Sequence, residues 1–156
     1  VSKTRRMMPT REQLRVWRDY VETAEVLRSR LAGRMMSESE LSSGDYQVLL
    51  ALSEAADHSL RSSELASQIG WERSRLSHHL GRMEKRDLIS RKSCADAARG
   101  VDVSLTSAGA EAFRRGSVPH LRAVRELFID AFTPDQLEHV DALTVALRSH
   151  LHLDPR

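Results

Sequence analysis

The strongest constraint on the fold lies between Ser62 and Asp87, in the stretch "SSELASQIGWERSRLSHHLGRMEKRD". Two helical patterns stand on either side of one glycine. "SSELASQI" reads as a short helix that Ser62 or Ser63 can cap. Gly70 ends it, because glycine accepts the left-handed conformation just past a helix C-terminus. The second helix spans about Glu72–Arg86. At about 100° per residue, Leu76, Leu80 and Met83 fall within roughly 60° of one another and face a core. Opposite them lie Ser74, His78, Gly81, Arg82 and Lys85, with Arg75 at the edge of that face and Ser77 and His79 on its two flanks.

The flanking sequence says what this helix pair belongs to. "LISRKSC" and "VDVSLT" alternate with the period of strands, and the small, polar "ADAARG" between them predicts a β-hairpin. Upstream, Thr10 and Gln13 have capping-box spacing. Leu14, Trp17, Val21, Ala24, Leu27 and Leu31 then predict a helix over about Thr10–Gly33. Tyr46, Leu49, Leu50 and Leu52 predict a second over about Ser43–Ala56, and "DHSLR" has room for only a few strand residues. Downstream, Thr106 or Ser107 opens a helix reaching about Phe132, with a kink or break expected near Gly116 and Pro119. Thr133, Pro134 and Gln136 mark the start of a last helix, striped by Leu137, Val140, Leu143, Leu147 and Leu151. The expected fold is mainly α with a small β-hairpin. The order α-α-(β)-α-α-β-β-α-α is that of a winged helix-turn-helix, residues 35–106, flanked by helical regions at 1–34 and 107–156.

Charge is distributed to match. The net charge is only +2. From Arg61 to Arg99, however, nine basic residues (Arg61, Arg73, Arg75, Arg82, Lys85, Arg86, Arg91, Lys92, Arg99) stand against five acidic ones, whereas Ser117–Asp154 holds three basic and six acidic. A locally basic lobe fits a polyanion. In a winged helix-turn-helix, the second helix enters the major groove of duplex DNA and the hairpin reaches a neighbouring groove. The candidate DNA-contacting residues are therefore Ser74, Arg75, Ser77, His78, His79 and Arg82. Arg99 at the hairpin tip suits a narrow minor groove, with Asp96 near enough to hold it.

Other chemistries find less support. Adjacent helical residues point about 100° apart, so one ion does not readily take both His78 and His79. No HExxH pattern, cysteine pair or carboxylate cluster accompanies them, so no metal or other cofactor is expected. His150 and His152 read as solvated, and the sequence does not place His58, His120 and His139. A small enzyme using His78 or His79 would need a nucleophile–base–orienter set that is missing. A single cysteine, Cys94, allows no intrachain disulfide and fits a reducing cytoplasm. No apolar run is long enough for a membrane span. "VSKTRRMMPT" lacks the apolar core of a secretory signal, and its Lys3, Arg5 and Arg6 fit a basic arm.

"SELASQIGWERSRLSHHLGRMEKRDLISR" followed by "RGVDVSLTSAG" resembles the MarR (multiple antibiotic resistance regulator) family of bacterial transcription factors. Its most specific part is Arg99-x-Val101-x-Val103-x-Leu105-Thr106-x-x-Gly109. One position departs: the family places an aspartate two residues before the wing arginine, where this chain has Ala97. The resemblance implies a homodimer in which regions 1–34 and 107–156 interlock as dimerisation helices and two recognition helices meet a pseudo-palindromic site. The apolar stripes on the first and last two helices agree, since one protomer offers them little to bury against. It also implies small phenolic or anionic effectors in a crevice between the dimer helices and the DNA-binding lobe. Trp17, Tyr20 and Tyr46 suit such a crevice and suit a plain core equally. Relatives that sense oxidants through a cysteine direct attention to Cys94 in the wing, beside Arg91 and Lys92; a passive thiol is the other reading. The expected function is a ligand-responsive repressor that occludes a promoter in the cytoplasm. The alternative is a winged-helix module that binds an acidic protein partner and has no duplex preference.

Overall fold

A computed structural model describes residues 8–93 and 100–153 of the chain. Eight of its elements follow from local signals in the sequence. Helix α1 (Arg11–Ser39) starts at the Thr10–Gln13 capping box, and α2 (Ser43–Glu54) starts at a second one formed by Ser42 and Asp45. Helix α3 (Ser62–Ile69) ends at Gly70, whose φ of 69° is the left-handed conformation that glycine accepts without strain. Helix α4 spans Arg73–Lys85, and strands β2 (Ile89–Ser93) and β3 (Val101–Leu105) form the hairpin. Helix α5 (Ser107–Leu127) is capped by Thr106, and α6 (Pro134–His150) by Thr133. The ninth element, strand β1 (Ser59–Arg61), falls in the segment with room for only a few strand residues.

The sheet is antiparallel in the order β1-β3-β2. Leu60 and Arg91 pair with Val103 from opposite sides, and Ile89 pairs with Leu105. This register puts Ile89 and Val103 on the inward face, where both are buried. They join Val48, Leu49 and Leu52 of α2, Leu65 of α3, and Leu76, Leu80 and Met83 of α4 in one core. Each helix of the lobe thus contributes one apolar stripe, and the hairpin closes the bottom.

Four boundaries differ from the sequence-based expectation. Helix α1 does not stop at Gly33 but runs to Ser39, ending at Glu40 with φ 57°. A helical glycine costs about 1 kcal/mol relative to alanine. Burial of Met35 and ion pairs from Arg34 to Glu38 and Glu126 favour continuing the helix past Gly33. Neither Ser62 nor Ser63 caps α3: Arg61 is the N-cap, and Glu64 accepts from its N–H at 3.3 Å. Helix α5 is unbroken across Gly116 and Pro119, and stops at Leu127 before a short turn of 3-10 helix at Ile129–Ala131.

One glycine is demanded by close approach. A Cβ on Gly109 would lie 1.9 Å from the carbonyl oxygen of Leu88. The same junction is tied by Thr106, whose hydroxyl donates to the Asp87 carbonyl at 2.6 Å and accepts from the Gly109 N–H at 2.9 Å. This contact joins the end of the winged lobe to the start of α5. Replacing Gly109 by alanine forces backbone apart and should destabilise the protein by about 1–3 kcal/mol in urea unfolding. An unchanged midpoint would show that the junction is not packed this way.

Candidate nucleic-acid interface

Helix α4 presents its outward face as the sequence spacing predicts. Ser74, Arg75, Ser77, His78, Arg82 and Lys85 are exposed, while Leu76, Leu80 and Met83 are buried. Ser77 also faces a groove of about 340 Å³ between the start of α3, α4 and the hairpin, shared with Ser62, Arg73 and Arg91. The outward set offers hydroxyls, an imidazole and guanidinium forks, the groups that bond base edges and phosphates.

His79 does not belong to this face. It is only 8% exposed, which corrects its expected role as a DNA contact. It lies about 60° from Leu76 on the side away from Leu80, and the N-terminus of α2 covers that side. A Cβ on Gly44 would come within 2.9 Å of its ring. Nε2 of His79 lies 3.0 Å from Oδ1 of Asp45, out of line for a straight hydrogen bond. On the other side, Nδ1 lies 3.0 Å from Nη2 of Arg82. Trp71 packs edge-on against the imidazole at 5.1 Å and carries the Arg75 guanidinium 4.1 Å above its own ring.

Asp45 anchors the underside of α4. It is 3% exposed. Its Oδ2 accepts from Nη1 of Arg86 at 2.7 Å and from the Ser42 N–H at 2.9 Å. Arg86 also donates to the Glu40 carbonyl at 2.9 Å, so the end of α4 is tied to both α1 and α2. Burial alone would push the Asp45 carboxyl up. The close approach of His79 and the bonds from Arg86 and Ser42 outweigh it and hold the group well below the usual carboxylate range. The hairpin is fixed to α4 in the same way. Arg91 of β2 donates from Nε and Nη2 to Oε2 of Glu84, at 2.9 and 2.6 Å, and this pair holds the Glu84 carboxyl below its ordinary value.

The remaining expected site residues are scattered. Arg99 and Cys94 lie outside the described residues. Tyr46 is half-buried, packed on Phe113 at 5.3 Å and on His120 at 4.6 Å. It lines a cavity of about 490 Å³ between α1, α2 and α5, with Arg28, Met35 and His120 among its neighbours. Burial lowers the pKa of His120. Trp17 and Tyr20 do not line this cavity; each is 61% exposed on the N-terminal half of α1, and Tyr20 lies about 7.5 Å along the helix before Glu25, the first residue of α1 on the cavity wall. The three aromatics therefore do not meet within one protomer. Asp45, Trp71, Arg86 and the Glu84–Arg91 pair carry the geometry without having stood out in the sequence. Only Asp45 had a local signal, its capping-box spacing from Ser42.

Among solved structures, Sco3205, a MarR family transcriptional regulator from Streptomyces coelicolor determined in complex with DNA, superposes with a TM-score of 0.85. It is 32% identical over 95% of each chain. AbsC, a MarR family transcriptional regulator from the same organism, superposes with a TM-score of 0.84 at 32% identity, covering 94% of this chain and 98% of AbsC. The chain belongs to the MarR family of transcriptional regulators. As a MarR-family protein it is a DNA-binding regulator of transcription and not an enzyme. The organohalide-sensing regulator RdhR-CbdbA1625, solved with 2,4-dichlorophenol bound, shares the fold at 17% identity and a TM-score of 0.78, covering 96% of this chain and 89% of its own. No protein-family model matches the sequence, and a search of curated proteins returns no match.

The Asp45 anchor has a measurable signature. Asp45→Asn should cost about 2–3 kcal/mol at pH 7, below the full cost of an orphaned buried ion because the Arg86 side chain is 44% exposed. The carboxyl of Asp45 is more acidic folded than unfolded. Its stabilisation is therefore complete above about pH 4 and lost as the pH falls below that. Between pH 7 and pH 3 the wild type should lose more stability than Asp45→Asn in urea titrations. Parallel losses would contradict this role.

Proposed function

We propose that this MarR-family regulator is a homodimeric, ligand-responsive repressor that reads a pseudo-palindromic operator with one α4 per half-site. The observation that carries the reading is the outward face of α4, polar and cationic, on a helix braced from beneath. Ser74, Arg75, Ser77, His78 and Arg82 are the direct contacts, with Arg75 and Arg82 suited to guanine edges. Arg99, which the sequence pattern assigns to the wing, is the contact for the adjacent minor groove in this reading. His79 is withdrawn from the contact set because of its burial.

The dimer is supported by unpartnered apolar surface. Leu14, Trp17 and Val21 of α1 and Leu143, Leu147 and Leu151 of α6 are all more than two-fifths exposed in a single chain. Stripes of that extent are unusual on a monomer. We assign Trp17 and Tyr20 to this interface. Regions 1–34 and 107–156 then serve dimerisation, and residues 35–106 serve DNA binding, joined through the packing of α2 on α5 and α1. A phenolic or anionic effector suits the cavity beside Tyr46 and His120, whose wall carries Arg28 paired with Glu25. The likeness to a dichlorophenol-bound regulator supports that class by analogy of fold. Occupancy would change the spacing of the two lobes and so the fit to the half-sites.

Selection of duplexes from a random pool, followed by binding titrations over a range of salt, tests the reading. The account expects a palindromic consensus and a steep loss of affinity with salt as several phosphate contacts are screened. Arg75→Ala and Arg82→Ala should each relax base preference at one symmetric position, by about 1–3 kcal/mol, whereas Arg99→Ala should weaken binding. Binding that ignores both salt and sequence would instead favour a protein-binding module.

A further inference from the structure

We propose that His79 is a positioning residue for base reading: held between Asp45 and Arg82, its imidazole fixes the direction of the Arg82 guanidinium. The assignment rests on α4 being the DNA-reading helix. Arg82 is exposed and sits one helical turn after His79. Long arginine side chains have large rotamer freedom, and a contact with a base edge must suppress it. An arginine already held near its contacting geometry loses less on binding.

The hydrogen bonding is directional. Arg82 has only donors, so Nδ1 of His79 must accept from Nη2 across their 3.0 Å separation. In the neutral ring the proton then sits on Nε2, the nitrogen that faces Asp45 Oδ1 at 3.0 Å. Asp45 is held in turn by Ser42 and Arg86. The support beneath is tight, because a Cβ on Gly44 would come within 2.8 Å of the Trp71 ring and 2.9 Å of His79. Trp71 also carries Arg75 over its ring. Both arginines of the reading face thus start from one aromatic cluster seated on the N-terminus of α2. A residue that only filled volume would need no acceptor toward Arg82; a positioning residue does.

That difference gives the test. The probe is the tightest duplex that the wild-type protein recovers from a random pool, and the competitor is a shuffled duplex of the same composition. The readout is the ratio of the two affinities for the full-length protein. Arg82→Ala should cut the ratio about tenfold, the order of a lost arginine–guanine pair. His79→Leu should cut it by a similar factor, and the double variant by no more than Arg82→Ala alone. His79→Gln, whose amide can donate toward Asp45 and accept from Arg82, should stay within about threefold of wild type. His79→Met, whose thioether is only a weak acceptor, should behave as His79→Leu and replaces it if the leucine variant does not fold. Multiplying losses in the double variant, or a disrupting variant within twofold of wild type, would overturn the proposal while leaving the DNA-reading face intact. A wild-type protein without preference among duplexes would overturn both.

Discussion

Among the described residues Asp45 is the one buried carboxylate, and its charge is stable there only because α4 supplies partners for it. An ion removed from water without partners costs several kcal/mol. Arg86 and His79, both reaching toward Asp45 from the α4 segment, meet that requirement from two sides. Burial of Leu76, Leu80 and Met83 decides which stripe of α4 faces inward, and the bonds to Asp45 fix its rotation and its place along α2. The outward direction of Ser74, Arg75, His78 and Arg82 follows. So does the position of the hairpin, because Arg91 ties β2 to Glu84 near the end of the same helix. The surface chemistry of the lobe is thus set from its interior.

The parts of the fold that local signals determine were legible in the sequence. Capping boxes marked the starts of α1 and α6, Gly70 marked the end of α3, and alternation marked β2 and β3. The outward face of α4 was legible for the same reason: three apolar residues at helical spacing define a direction, and the opposite direction follows. The tertiary contacts were not legible. Gly33 resembled a helix end, yet burial of Met35 and the pairing of Arg34 with Glu126, distant in sequence, carry α1 onward. His79 stood on the flank of the stripe, where a helical projection cannot say whether a neighbour covers it. The decision belongs to Gly44 and Asp45, more than thirty residues upstream. Trp17, Tyr20 and Tyr46 shared a chemical type, but a helix of the length of α1 carries the first two away from the cavity that Tyr46 lines.

Burial divides the molecule along the same lines. The lobe around α2, α3, α4 and the sheet holds most of the buried side chains. Helix α6 buries no residue, and the first half of α1 buries none either. Between the two parts lie the cavity at Tyr46 and His120 and the Gly109 junction, where the lobe is tied to α5. A change in the helical layer reaches α4 through α2, since the N-terminus of α2 carries both Tyr46 and the Asp45 anchor. That continuity is the physical route that the proposed ligand response would use.

In the proposed complex the outward face of α4 meets the bases of duplex DNA and α6 does not. Site-specific photo-crosslinking tests it most directly. A photoreactive side chain at position 78 of α4 and another at position 139 of α6 are compared on a duplex selected by the wild-type protein. The account predicts efficient crosslinks from position 78 to bases at symmetric positions in the two half-sites and none above background from position 139. Crosslinking from position 139, with position 78 silent, would contradict it.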